Sequence, residues 1–187
     1  MVMLKGTTLN STLQFNKEML GEEAVAKYIA QLDDESRNVL SHPILDTSWY
    51  PFNSLISFTE LLFNTILNKN EQALKNASKH IVQKQIKGIY RTLLTVGSIE
   101  FLVNRINSIN ERYYQGVVVT TNYLDANKLA VHYEGFEKKH RLHEVITMAW
   151  WEVVLESLDA KNVATAITTS LKDDKGYFEF IITWEKK

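Results

Sequence analysis

Near Gln115 the apolar residues of this chain change period, and that change narrows the folds open to it more than any other feature. Before it they recur every three or four residues, which is the signature of helices that bury one face. Val25, Tyr28, Ile29 and Leu32 form one such stripe. Phe52, Leu55, Ile56, Thr59, Leu62, Phe63 and Ile66 form another, widened by Phe58 and Leu61, so the helix after Pro51 is expected to be a central one. Leu102, Ile106, Ile109 and Tyr113 mark a third, over a helix expected from Ser98 to Tyr114. Between the last two lies the more polar "NKNEQALKNASKHIVQKQIKGIY", read as a surface helix that breaks at Gly88 or Gly97. Earlier in the chain, a helix from near Thr8 is expected to end at Gly21 in a left-handed cap. A short helix with an acidic first turn follows in "LDDESRNVLS".

Beyond Gln115 the period falls to two. "QGVVVTTNYLDANKLAVHYEGF" reads as two strands about a turn at Asp125-Ala126-Asn127, with Leu129, Val131 and Tyr133 on one face and Ala130, His132 and Glu134 on the other. A long helix follows, with Leu142, Val145, Ile146, Ala149 and Val153 on its stripe, and then a second hairpin turning at Asp173 to Gly176. The order predicts an α+β fold, a mostly helical N-terminal part joined to a four-stranded antiparallel sheet of two hairpins separated by a long helix. At 187 residues, with no repeat or linker, residues 1–187 are expected to form a single domain.

Composition excludes more than it identifies. The chain has no cysteine, which removes thiolate metal sites, disulfides and thiol nucleophiles. A net charge of -1 gives no footprint for nucleic acid. No apolar run is long enough to span a bilayer and the start lacks a signal-peptide core, so the cytoplasm is the expected location. Nucleophile elbows, phosphate-binding glycine loops and dinucleotide fingerprints are all missing, and no enzyme is expected.

Two features could carry chemistry. "HRLHE" sets His140, His143 and Glu144 at helical spacing, close enough to share a metal, but its charged flanks favour a solvated helix start. His42 and His80 read as loop and surface residues, and His132 as packed on the outer sheet face. Aromatic residues cluster at Trp49-Tyr50-Phe52, Tyr113-Tyr114 and Trp150-Trp151, as plain core or as walls of an apolar pocket.

Motifs across nearly the whole chain resemble one family. "LKGTTLNSTLQFNKEMLGEEA", "TSWYPFNSLISFTELL", "FLVNRINSINERYY" and "KLAVHYEGFEKKHR" are similar, in order, to segments of the haem-nitric-oxide/oxygen-binding (H-NOX) proteins and their haem-less relatives. The last hairpin resembles, more distantly, vinyl-reductase-type and TRAPP-type small-ligand domains. The resemblance places the family's haem-ligating histidine at Asn110. In its Tyr-x-Ser-x-Arg propionate clamp it keeps Tyr133 and puts Gly135 and Glu137 in the other two places. Asparagine is not an ordinary axial iron ligand, and a carboxylate repels propionates where a guanidinium would pair with them.

The resemblance therefore implies a non-enzymatic sensor or small-ligand-binding domain whose family-type haem site is degenerate. No cofactor is expected, and a haem held by another histidine would be tested at His80. The implied ligand is an apolar or amphipathic small molecule such as a fatty acyl chain. Trp49, Tyr50, Phe52, Phe63, Ile106, Asn110, Tyr113 and Tyr133 are the implied pocket. A signalling partner protein or a homodimer would receive the response. Two alternatives stay open: a homo-oligomeric interaction domain without small ligand, and a haem gas sensor with a non-standard axial ligand.

Overall fold

The computed structural model describes residues 1–87 and 98–185, without the side chain of residue 87. The expected break at Gly88 or Gly97 lies outside the described residues. The fold is α+β, and it groups into two compact units, one of residues 1–74 with 112–116 and the other of residues 75–111 with 117–187.

The first unit begins with strand β1 (Met3–Lys5), followed by helices α1 (Gly6–Leu20), α2 (Glu22–Ile29) and α3 (Asp34–Leu40). α1 ends at Gly21, as expected, but with φ 87° and ψ 152°, an extended mirror-image conformation open to glycine and not the left-handed cap. Asp33 caps α3 by accepting the backbone N–H of Ser36 at 2.9 Å. Strand β2 (Trp49–Pro51) leads directly into α4 (Phe52–Thr65), the apolar helix expected after Pro51. α4 buries Phe52, Leu55, Ile56, Phe58, Thr59, Leu62 and Phe63 and packs against α2 and α3. Ile66 leaves the stripe: the helix stops at Thr65 and Ile66 is 39% exposed at its C-cap.

A small antiparallel sheet of order β2-β1-β3 closes this unit, with β3 at Tyr114–Gln115. Sequence periodicity gave no sign of it. Its strands are two or three residues long and come from distant parts of the chain, too short for alternation to register. Gly6, at the join of β1 and α1, donates its N–H to Ser48 O at 2.9 Å. A Cβ at Gly6 would stand 2.1 Å from the Leu45 carbonyl oxygen, so the 45–48 loop leaves room only for glycine.

The second unit contains α5 from Lys75 on (the helix spans Glu71–Lys87) and α6 (Ile99–Asn110). α6 starts where expected, with the Ser98 hydroxyl accepting the Phe101 N–H, but it stops four residues short of Tyr114. The Tyr113 carbonyl instead accepts the Lys5 N–H at 2.9 Å, and Tyr114 pairs with Leu4. Tyr113 is thus off the helical stripe. β4 (Val118–Asp125) and β5 (Lys128–Glu134) form the first hairpin, α7 (Leu142–Ser157) follows, and β6 (Lys161–Thr169) and β7 (Tyr177–Glu185) form the second. The sheet order is β4-β5-β7-β6, all antiparallel, as the two-hairpin pattern predicts. Leu129, Val131 and Tyr133 are buried on one face together with Phe178, Phe180 and Ile182. α7 packs on β6 and β7 and is buried almost all round, not along one stripe, while the expected stripe residue Ile146 is only half-buried.

Gly6→Ala is expected to destabilise the protein by upwards of about 3 kcal/mol, because the new methyl meets backbone and no flexible side chain can yield. A urea melt checks it: a midpoint equal to that of the parent would contradict the close approach.

Candidate functional site

The eight residues of the expected pocket divide between the two units. In the first, Trp49 and Tyr50 are half-buried on β2, Phe52 and Phe63 are buried on α4, and Tyr113 is half-buried in the turn before β3. Lys5 sits 4.1 Å above the Trp49 ring, a cation–π contact across the β1–β2 pair. The Tyr50 hydroxyl accepts the Leu45 N–H at 2.8 Å, which braces the loop that encloses Gly6. Phe52 meets Tyr114 edge to face at 6.0 Å.

In the second unit Ile106 and Asn110 are buried on α6, and Tyr133 is buried on β5. The Asn110 carboxamide donates to the Val117 carbonyl at 3.1 Å, so this buried amide is committed to the chain that leads into β4. Tyr133 stacks on Phe178 at 5.0 Å, and its hydroxyl accepts the Trp151 indole N–H at 3.0 Å. The other two clamp positions are also engaged. Gly135 has φ 107°, and the Glu137 carboxylate accepts the backbone N–H of His140 while bonding Lys139 at 3.1 Å. Hydrogen bonding to Lys139 is what holds Glu137 below the usual carboxylate range, against a smaller desolvation.

"HRLHE" is not a solvated helix start. His140, His143 and Glu144 are all buried, whereas Glu137, Lys138 and Lys139 are exposed. A single 3₁₀ turn (Lys138–His140) precedes α7 and swings His140 inward, out of the charged run that the sequence shows. Both imidazoles lie against Phe136, His143 with ring centroids 4.8 Å apart and His140 edge-on at 5.9 Å. Nδ1 of His140 accepts the Glu137 N–H at 2.9 Å, which a doubly protonated ring could not do. Burial pushes His140 down to about 4 and His143 down to about 3. Glu144 points elsewhere: its carboxylate accepts the Ser170 hydroxyl at 3.0 Å and the Leu171 N–H. Among the described residues no group of three or more metal-ligating side chains converges.

A second buried carboxylate escaped sequence reading. Glu152, 3% exposed, bonds Lys75 at 2.6 Å and Lys79 at 2.8 Å, and accepts the Thr165 hydroxyl. Burial alone would raise it, but the two ammonium groups more than offset that and hold it below the usual range. The only sequence signal was Glu152 interrupting "TMAWWEVVLE" and the i, i+4 lysines of α5.

No protein-family model and no curated protein matches the sequence. Solved structures do match, over nearly its whole length. An H-NOX protein from K. algicida in the unliganded Fe(II) state shares 17% identity with a TM-score of 0.72, over 98% of both chains. An H-NOX protein from S. oneidensis in the Fe(II)NO state shares 13% identity with a TM-score of 0.76, over 98% of this chain and all 100% of that one. An oxygen-binding H-NOX domain related to soluble guanylate cyclases, solved as its oxygen complex, shares 9% identity with a TM-score of 0.68, over 98% and 96%. The chain therefore has the H-NOX fold. These neighbours also correct the expectation that no cofactor is involved, since two were solved with Fe(II), unliganded and bound to nitric oxide, and the third as an oxygen complex. Haem becomes the first group to be tested and is no longer one to set aside.

Asn110→Ala is expected to cost about 1–3 kcal/mol, because the buried Val117 carbonyl loses its donor; denaturant melts of the variant and parent measure it. Stability should also fall in mild acid. A histidine held below its ordinary value takes up its proton more readily when unfolded, so its contribution is complete above about pH 6.5 and is lost as the pH falls toward about 4. Urea midpoints across that range should decline with acid before ordinary carboxylates titrate, and an unchanged midpoint would contradict the burial of both rings.

Proposed function

We propose that this protein is a sensor domain of the H-NOX fold, one that takes up a small molecule and passes a change of shape to a partner protein. The observation that carries this reading is the match in fold over 98% of the chain to H-NOX proteins solved as the unliganded Fe(II), Fe(II)NO and oxygen-bound forms. No reaction is assigned to it. The finer reading is that Asn110, Gly135 and Glu137 do not fit a haem in the manner of the family. Asn110 is bonded to Val117, Glu137 is turned into a helix cap, and neither an imidazole nor a guanidinium stands at these places. A haem in this protein would draw its axial ligand from another side chain, and no step is derived through it. His80, exposed on α5, remains the histidine to substitute first.

An apolar or amphipathic organic molecule is the ligand that the aromatic side chains of the first unit, Trp49, Tyr50, Phe52 and Phe63, would suit, and Trp49 and Tyr50 are only half-buried. No helix among the described residues is long and apolar enough to cross a membrane, and the reading keeps the cytoplasm as the setting. The test has two arms on the full chain. Haem titration followed by absorbance should give a Soret band, or native mass spectrometry of protein taken from cells should show one bound organic molecule. A protein that gives neither overturns the reading. A Soret band that survives His80→Ala would move the axial ligand to another residue and leave the sensor reading intact.

A further inference from the structure

The four-stranded sheet has two edges, and the fold treats them differently. At the start of β4, α6 supplies side-chain partners to the backbone: Asn107 Oδ1 accepts the Val119 N–H at 3.1 Å and Asn110 Nδ2 donates to the Val117 carbonyl. Covering an edge with a helix is one device by which proteins blunt it against another strand. β6 pairs only with β7, and among the described residues no side chain or backbone group bonds its other side.

The sequence of that open strand is "KNVATAITT", rich in β-branched residues, with one charge at its end and no proline or glycine. Register shifts between Lys161 and Ala164, where Asn162 turns to φ 51°, and between Ile167 and Thr169 confine regular pairing to its middle. There the faces alternate. Thr165 and Ile167 lie beside the buried Ile182 and Phe180, while Ala164 and Ala166 lie beside Thr183 and Ile181 on the other face. Ile167 is 42% exposed although it belongs to the core-facing row, because among the described residues no strand continues the row past β6.

We infer that β6 pairs with β6 of a second copy of this chain, antiparallel about a two-fold axis at Thr165, to make one continuous eight-stranded sheet. The strand is complementary to itself in that register and face by face. Ile167 falls opposite Val163 of the second copy, extending the core-facing row over the exposed isoleucine. Ala164 falls opposite Ala166, two small residues that let the strands approach, and Lys161 lies four places from the centre, away from its own copy. A two-fold interface needs this property, that one patch complements itself. Main-chain hydrogen bonds supply the attraction, as in other strand additions. Nothing in this depends on what small molecule the protein binds.

Sedimentation analysis of the full chain should give twice the chain mass, and Ile167→Lys should halve it while leaving the circular dichroism of the fold unchanged. Mixing Ile167→Lys with Val163→Glu should restore the dimer, because each new lysine then faces a new glutamate, whereas neither variant dimerises alone. The chain has no cysteine of its own, so register can be read directly. Oxidising a mixture of Ala164→Cys and Ala166→Cys should cross-link far more than either variant by itself. A monomeric parent, a dimer that Ile167→Lys leaves intact, or cross-linking no greater in the mixture would each overturn the proposal.

Discussion

The hydrogen bond from the Trp151 indole to the Tyr133 hydroxyl fixes how α7 sits on its sheet. Trp151 is fully buried, and a buried indole N–H needs an acceptor. Its surroundings are aromatic: Tyr133 stacks on Phe178 and Phe180, with Phe136 close by. In that apolar layer the phenol oxygen accepts the bond, so rotating α7 by one residue would strand the N–H and leave the phenol without this donor. Once the rotation is set, every other side chain of α7 has an assigned direction. Trp151 goes to the sheet, Glu152 to the lysines of α5, and Glu144 to the turn at Ser170 and Leu171.

Those two buried carboxylates illustrate opposite solutions to one problem. Burial raises the pKa of both, because an apolar surrounding disfavours the charge. Glu144 is met chiefly by neutral donors, which only partly compensate, and it stays above its ordinary value. Glu152 is met by two ammonium groups and a hydroxyl and ends below it. Neither is strong evidence of added stability, since desolvation consumes much of the attraction. What they contribute is position: α5, α7 and β6 meet at Glu152 in a single register, and the 171–173 turn is pinned at Glu144.

The helices and the two hairpins were legible because each buries one face, and burial leaves a period in the residues. α4 after Pro51 and the alternation of Leu129, Val131 and Tyr133 are the clearest cases. The small β2-β1-β3 sheet was not legible, and the end of α6 was misjudged for the same reason. Tyr113 fits a helical stripe perfectly well, but Lys5, more than a hundred residues away, bonds its carbonyl in a turn, and Leu4 takes Tyr114 into a strand. The candidate site divides in the same way. Trp49, Tyr50, Phe52, Phe63, Ile106, Asn110, Tyr113 and Tyr133 were expected from aromatic clustering and resemblance to line a pocket, but what each of them bonds to could not be read from the sequence. "HRLHE" was read from its charged neighbours as solvated, and a 3₁₀ turn reversed that by rotating His140 inward.

By itself, then, the sequence determined the class of fold, the order of its longer helices and two hairpins, and which face of the four-stranded sheet is apolar. These follow from local propensity and from periodicity, which act between residues a few places apart. The tertiary structure alone decided that "HRLHE" and Glu152 are buried, that Asn110 is spent on Val117, and that α6 bonds one edge of the sheet. Each of those depends on a partner brought in from a distant part of the chain, and no local pattern encodes the identity of that partner.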